Sequence, residues 1–311
     1  IEALQLFSNT LKTKVHFTID SDQLSSFIAL ENKLIKKLSK ANSDRLQIEY
    51  SFQDSKTDSI ALLDNSTILR DVEGKIEFRK SGHGALIDNI KRFKTDLVFI
   101  KTVDNIKPND RESVDVQKAI GGLYLERFDQ IKTLLEQLQS AVKTSVDEST
   151  VFIKNSFHID LSSKLKGLDF EEQIQQLINF FNRPFRVCGM ITNEGKPGGG
   201  PFWIEHNGET ALQIVESSEL QPFQGVLHDA LFFNPVNIVC GLKDFEGNSW
   251  ELDRYKDSGR SIISEKIQMG QPIKTFELPG LWNGCMGYWN SIFVEIPTAT
   301  FRSLKTINDC L

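Results

Sequence analysis

Apolar positions along this chain switch between two periods, and the switches mark its elements. Residues 15–19 (VHFTI) form a short β-prone run that stops at Asp20, Ser21 and Asp22. Behind that N-cap cluster, residues 23–38 repeat their apolar positions at helical spacing, so strand, loop and helix are predicted in order. Residues 46–52 alternate at period two, as a half-buried strand does, and a second short strand is predicted near 59–63. After a turn at Glu73 and Gly74, the run 75–78 leads to Ser81, Gly82, His83 and Gly84, which open a predicted helix over 85–93. The apolar run 97–103, stopped by Asp104 and Asn105, reads as a buried parallel strand.

Residues 111–145 read as one long helical region interrupted by Gly121 and Gly122, and their polarity predicts an inserted arm rather than a core helix. An amphipathic helix is predicted over 170–181, ending at Arg183 and Pro184. Beyond it the texture changes to short β-prone runs at 185–191, 201–206, 210–215 and 225–240. The expected organisation is part of an α/β core over residues 1–110, a helical insertion over 111–150, and the remainder of the core with a β-rich region over 151–311. Residues 1–11 are amphipathic and open on Ile1 rather than Met, which raises the expectation of an upstream segment.

Composition narrows the class. The chain has 311 residues, 40% of them hydrophobic, enough for a sizeable core. With 42 acidic against 36 basic side chains its formal charge is −6, which gives no general pull toward nucleic acid or an anionic membrane. Its longest apolar runs fall far short of the roughly 20 residues of a membrane span. The four cysteines, Cys188, Cys240, Cys285 and Cys310, lie far apart without a C-x-x-C pair. That spacing signals neither a zinc knuckle nor a disulfide framework, and it fits reduced thiols in the cytoplasm.

Three segments carry candidate chemistry, each with a plain alternative. Ser81 to Gly84 form a glycine-flanked turn at a predicted helix start, suited to an anion or a nucleobase edge, or simply a residue between two hinges. Asp104 at a strand tip could hold Mg²⁺ against a phosphate, or Asp104 and Asn105 could cap the turn toward Pro108. Residues 195–201 (GKPGGGP) have the glycine density of a phosphate cradle but not the Walker order, and they read as a flexible connection or as a lid over a sugar phosphate. His16 reads as a satisfied core or edge histidine of its strand, His158, His206 and His228 share no ligand spacing, and Trp203 and Trp289 fit core positions or a stacking face for a sugar ring or a base. Trp282 and Asn283 combine a stacking face and an amide in a loop.

In order and spacing, VHFTI (15–19), KSGHGAL (80–86) and FIKTVDN (99–105) resemble the eukaryotic-type UDP-sugar pyrophosphorylases, with their uracil-contacting glycine turn, helix, and strand ending in Asp-Asn. The chain is most similar to a bacterial family of uncharacterised proteins related to those enzymes. FWIE (202–205), FNPV (233–236), LPGLWNG (278–284) and KTIND (305–309) carry that likeness, which covers nearly the whole chain. The resemblance implies a nucleotidyltransferase-like α/β fold with a Rossmann-like mixed sheet. It also implies small-molecule partners, a nucleoside triphosphate or nucleotide-sugar and a sugar 1-phosphate, with Mg²⁺ as cofactor.

Carried over position by position, the resemblance places Gly82 and Gly84 at the base, with His83 and Asn105 in the same nucleotide site, and gives Asp104 the metal and phosphates. Glu216, within QIVESSE (213–219), would face the sugar hydroxyls, and Asn234 would sit beside the sugar with Trp282 and Asn283. Lys101, in the strand of Asp104, and Lys274, ahead of LPGLWNG, are the cations expected to reach a phosphate. The chain departs from the pyrophosphorylases before Val15, where their glycine-rich triphosphate loop has no counterpart. It is therefore expected to be the C-terminal part of a longer protein and inactive alone. The expected activity is attack of a sugar phosphate on the α-phosphorus of a nucleotide. The alternatives are a binding protein of the same fold without transfer chemistry, and an interaction module built around residues 111–145.

Overall fold

Two of the sheets draw strands from both halves of the chain, and the elements follow the apolar pattern closely. The computed structural model describes residues 1–64, 66–102, 105, 111–195, 198–206, 209–220, 225, 230–257, 262–268, 270–277, 280 and 288–301. The helices are α1 (Glu2–Leu6), α2 (Leu24–Lys37), α3 (Lys40–Arg45), α4 (Ile87–Ile90), α5 (Arg111–Gln139), α6 (Ser145–Phe157), α7 (Ser162–Leu165) and α8 (Phe170–Phe181). The strands of the first half are β1 (Thr13–Thr18), β2 (Leu46–Ser51), β3 (Ser59–Leu63), β4 (Phe78–Arg79) and β5 (Leu97–Ile100). Those of the second half are β6 (Phe185–Met190), β7 (Gly200–His206), β8 (Glu209–Val215), β9 (Asn237–Gly241), β10 (Ile262–Gln268), β11 (Gln271–Glu277) and β12 (Asn290–Glu295).

β1 and β2 run parallel, with Val15 opposite Ile48, and α2 and α3 supply the crossover that a parallel pair needs. A second sheet has the order β12-β6-β9-β5, with β6 parallel to β12 and β9 antiparallel to both its neighbours. Every residue of β6 and β9 is buried, because the sheet is covered on both faces and such strands read as unbroken apolar runs. Phe185, Val187, Val239 and Ile292 pack with Ile131, Leu138, Phe157 and Phe181 from α5, α6 and α8. On the opposite face, Cys188, Met190 and Ile238 meet Ile214 of β8. α8 begins with a capping box in which Asp169 accepts from the Glu172 N–H and Glu172 accepts from the Asp169 N–H. A third sheet, β10-β11-β3-β4, brings the first and second halves together, and β7 and β8 form a hairpin. The fold is mixed α/β.

Four expectations are corrected. α5 is helical as predicted, but it is no projecting arm: Val114, Ile120, Tyr124, Ile131, Leu135 and Leu138 are buried along one stripe. Its polar average comes from the opposite face, which a mean over residues cannot separate. The strand predicted over 97–103 is half-buried and antiparallel to β9, because an apolar run encodes coverage and not direction. The helix predicted over 85–93 is a 3-10 turn, Gly82–Leu86, followed by the single turn of α4. Within residues 225–240 the described strand begins only at Asn237. Cys188 and Cys240 are buried free thiols, and no helix among the described residues is long and apolar enough to cross a membrane.

Candidate functional site

The glycine turn at residues 82–84 is held by contacts from four directions. Lys80, just before it, forms an ion pair with Asp20 beyond the end of β1, and Ser81 Oγ donates to the Thr57 carbonyl. After it, Asn89 Nδ2 donates to Ser51 Oγ at 2.6 Å and to the Phe52 carbonyl at 2.9 Å, at the carboxyl end of β2. The turn therefore lies at the carboxyl ends of the parallel pair, where open α/β sheets leave a crevice for ligands. Ser51 Oγ also lies 2.7 Å from His16 Nε2, and burial holds the His16 pKa below its ordinary value despite the opposing effect of Glu49.

The fourth contact comes from Glu277, at the end of β11. Gly82 has φ +67°, a backbone conformation that favours glycine, and the Glu277 carboxylate occupies the space where a Cβ would stand, 2.6 Å from its Oε2. Glu277 Oε1 accepts from Ser264 Oγ at 2.9 Å and Lys266 Nζ at 3.1 Å, which leaves Oε2 turned toward Gly82.

Glu216 follows directly on β8, and Asn234 precedes β9. Asn234 Nδ2 donates to Glu216 Oε1 across 3.4 Å, and the Glu216 N–H donates to Glu219 Oε2 at 3.0 Å. Gly199 closes over this pair: a Cβ on it would lie 2.1 Å from the Val215 carbonyl oxygen and 2.9 Å from Asn234 Oδ1. The glycine density of residues 195–201 thus serves, at Gly199, a close backbone approach to Glu216 and Asn234; Lys196 and Pro197 lie outside the described residues. Burial pushes the Glu216 carboxyl up, Glu219 and Glu277 add to the effect and Asn234 opposes it, giving a pKa of about 7. Such a carboxyl can donate to or accept from a hydroxyl near neutral pH. Asn234 Oδ1 beside it is buried without a hydrogen-bond partner among the described residues.

The structure brings Glu216 and Asn234 together, and Glu277 stands in electrostatic range of Glu216 while touching Gly82. Gly84 is buried inside the 3-10 turn; His83 occupies the same turn. Because only short helical turns follow Gly82, little macrodipole is available there, and the expected anion site at a helix start loses its basis. Asn105 is buried and donates to the Val236 carbonyl at 3.0 Å, a tie between the segment after β5 and the segment before β9. Lys101 Nζ pairs with Glu2 at 2.8 Å and reaches Ser113 Oγ at 3.2 Å, so its ammonium is engaged by α1 and α5. Lys274 lies on the opposite face of β11 from Glu277, 3.8 Å from Glu265, beside an open groove of about 490 Å³ that Ile60, Leu62 and Phe276 also line. Asp104, Trp282 and Asn283 lie outside the described residues.

Sequence reasoning missed Glu277. Its signal is a lone carboxylate closing a β-prone run ahead of Pro279 and Gly280, and nothing local connects it with Gly82. Among the described residues no group of three or more His, Cys, Asp or Glu side chains could hold a metal ion. Asp104, the carboxylate expected to hold Mg²⁺, lies outside the described residues.

These features define a mixed α/β protein with a glycine turn at the carboxyl ends of a parallel strand pair and a Glu216–Asn234 pair after β8. The chain belongs to the family described as Domain of unknown function (DUF4301), whose model matches residues 1–311. No curated protein matches the sequence. Among solved structures, a mutant UDP-glucose pyrophosphorylase from Leishmania major in complex with UDP-glucose is similar, with 13% identity and a TM-score of 0.44 over 96% of this chain and 54% of that one. The uridine diphosphate N-acetylglucosamine pyrophosphorylase from Trypanosoma brucei, in complex with an inhibitor, has 10% identity and a TM-score of 0.43 over 93% of this chain and 48% of that one. The chain thus spans about half the length of each.

Proposed function

We propose that the chain is a nucleotidyltransferase-like protein whose crevice binds a nucleotide-sugar, with the base against the backbone of Gly82 and Gly84 and the sugar hydroxyls against Glu216 and Asn234. The observation that carries the reading is the Glu216–Asn234 pair, a buried carboxyl beside an amide oxygen with no partner among the described residues, standing near the carboxylate that lies against Gly82. Hydroxyl-rich ligands satisfy such groups, because a site built to hydrogen-bond a hydroxyl leaves polar atoms unpaired without it. The sequence resemblance to UDP-sugar pyrophosphorylases supplies the assignment of each end. In the transfer reaction the chain's own residues would orient base and sugar, and Asp104 would be the carboxylate for phosphates and Mg²⁺.

A second reading, binding without transfer, is favoured by one observation: the two lysines expected to reach phosphates are engaged by Glu2 or placed on the far face of β11. Pyrophosphate release separates the two. With UTP, Mg²⁺ and a panel of sugar 1-phosphates, release establishes transfer. Saturable binding of UDP-glucose without release under any combination establishes the binding protein, and absence of both removes the proposal.

A further inference from the structure

Glu277 lies against the glycine turn and within electrostatic range of Glu216, and its two oxygens are used unequally. Oε1 takes Ser264 Oγ and Lys266 Nζ, so the side chain is fixed and part of its charge is balanced on the side away from Gly82. Oε2 lies against Gly82 with no hydrogen-bond partner among the described residues, on a side chain only 15% exposed. A carboxylate oxygen held this way, with its partner oxygen already engaged, is free to accept from a donor that enters beside Gly82.

We infer that Glu277 Oε2 accepts a hydrogen bond from a ribose hydroxyl and so makes the crevice selective for ribonucleotides over deoxyribonucleotides. The inference rests on the binding reading above and deepens it. In a nucleotide-sugar the parts between base and sugar are a ribose and a diphosphate. A carboxylate repels the diphosphate, whereas the neutral 2′ and 3′ hydroxyls each offer it a donor. The base edge is met by the backbone at Gly82, which leaves the side chain to the ribose. The rigid hold on Oε1 matters, because selectivity requires an oxygen that cannot turn away to water when the hydroxyl is missing.

Isothermal titration of the chain with UDP, 2′-deoxy-UDP and 3′-deoxy-UDP tests this without any variant. The expected result is that at least one deoxy form binds about tenfold more weakly than UDP, the effect of one hydrogen bond to a charged group. Glu277→Ala then binds all three alike, at the weaker level, and Glu277→Gln, which keeps the shape and one acceptor oxygen, retains part of the preference. Equal binding of the three by the unaltered chain overturns the role of Glu277 while leaving the crevice reading in place. Preference retained in Glu277→Ala overturns it as well. No binding of any of the three overturns both this inference and the reading it rests on.

Discussion

Asn234 Nδ2 donates to Glu216 Oε1 across 3.4 Å, and the oxygen of the same amide is buried without a hydrogen-bond partner among the described residues. The pair comes from two segments that Gly199 allows to close on each other, so the geometry of the sugar end depends on a single missing side chain. Gly199→Ala places a methyl 2.1 Å from the Val215 carbonyl oxygen. The expected outcome is a loss of several degrees in melting temperature, read by thermal unfolding, together with loss of ligand binding. An unchanged melting temperature would contradict the close approach.

The raised pKa of Glu216 fixes a sign for stability against pH. Its folded pKa, about 7, lies above the ordinary 4.5, so the folded state binds more protons in that window. The stability it contributes is present below about pH 4.5 and is lost as pH rises through 7. Glu216→Gln removes this slope. The variant is expected to be more stable than the parent at pH 8, by about 1–3 kcal/mol in urea unfolding, and to converge with it toward pH 4.5. A parent and variant that run parallel with pH would show that Glu216 titrates normally.

His16 carries the opposite dependence. Its pKa is held below the ordinary 6.5 chiefly by burial, so below about pH 6.5 the unfolded chain takes up the proton first and stability falls as pH drops. His16→Asn flattens this acid branch relative to the parent in the range of pH 5 to 6.5, measured by urea unfolding at each pH. An identical acid branch in the two proteins would contradict the buried, neutral state of the ring.

Much of the fold was legible because the segments that carry it are locally consistent. Residues 170–181 show a helical period and form α8 with those bounds, and VHFTI, with its N-cap cluster, gives β1 and the start of α2. The direction of β5 and the burial of α5 were not legible, since both depend on which segment returns to cover an apolar face. The same divide runs through the site. Glu216, Asn234 and Gly82 stand in motifs that resemblance identifies, whereas Glu277 reaches Gly82 only through the β10–β11 hairpin pairing with β3, a contact without local signature.

Lys101 illustrates a residue whose surroundings change its meaning. With Glu2 and Ser113 around its ammonium it ties α1 to α5, and Lys101→Met is expected to lower stability by about 1–2 kcal/mol. A double-mutant cycle with Glu2→Gln should show coupling, so that the two losses are less than additive. Strict additivity would leave Lys101 available for a phosphate.

The central claim is a crevice with a nucleotide end and a sugar end, and titration of UDP and UDP-glucose into the parent chain and into Glu216→Ala tests it most directly. The account predicts that UDP-glucose binds the parent more tightly than UDP and that Glu216→Ala loses this difference while still binding UDP. Absence of binding by either ligand, or an undiminished preference for UDP-glucose in Glu216→Ala, would contradict it.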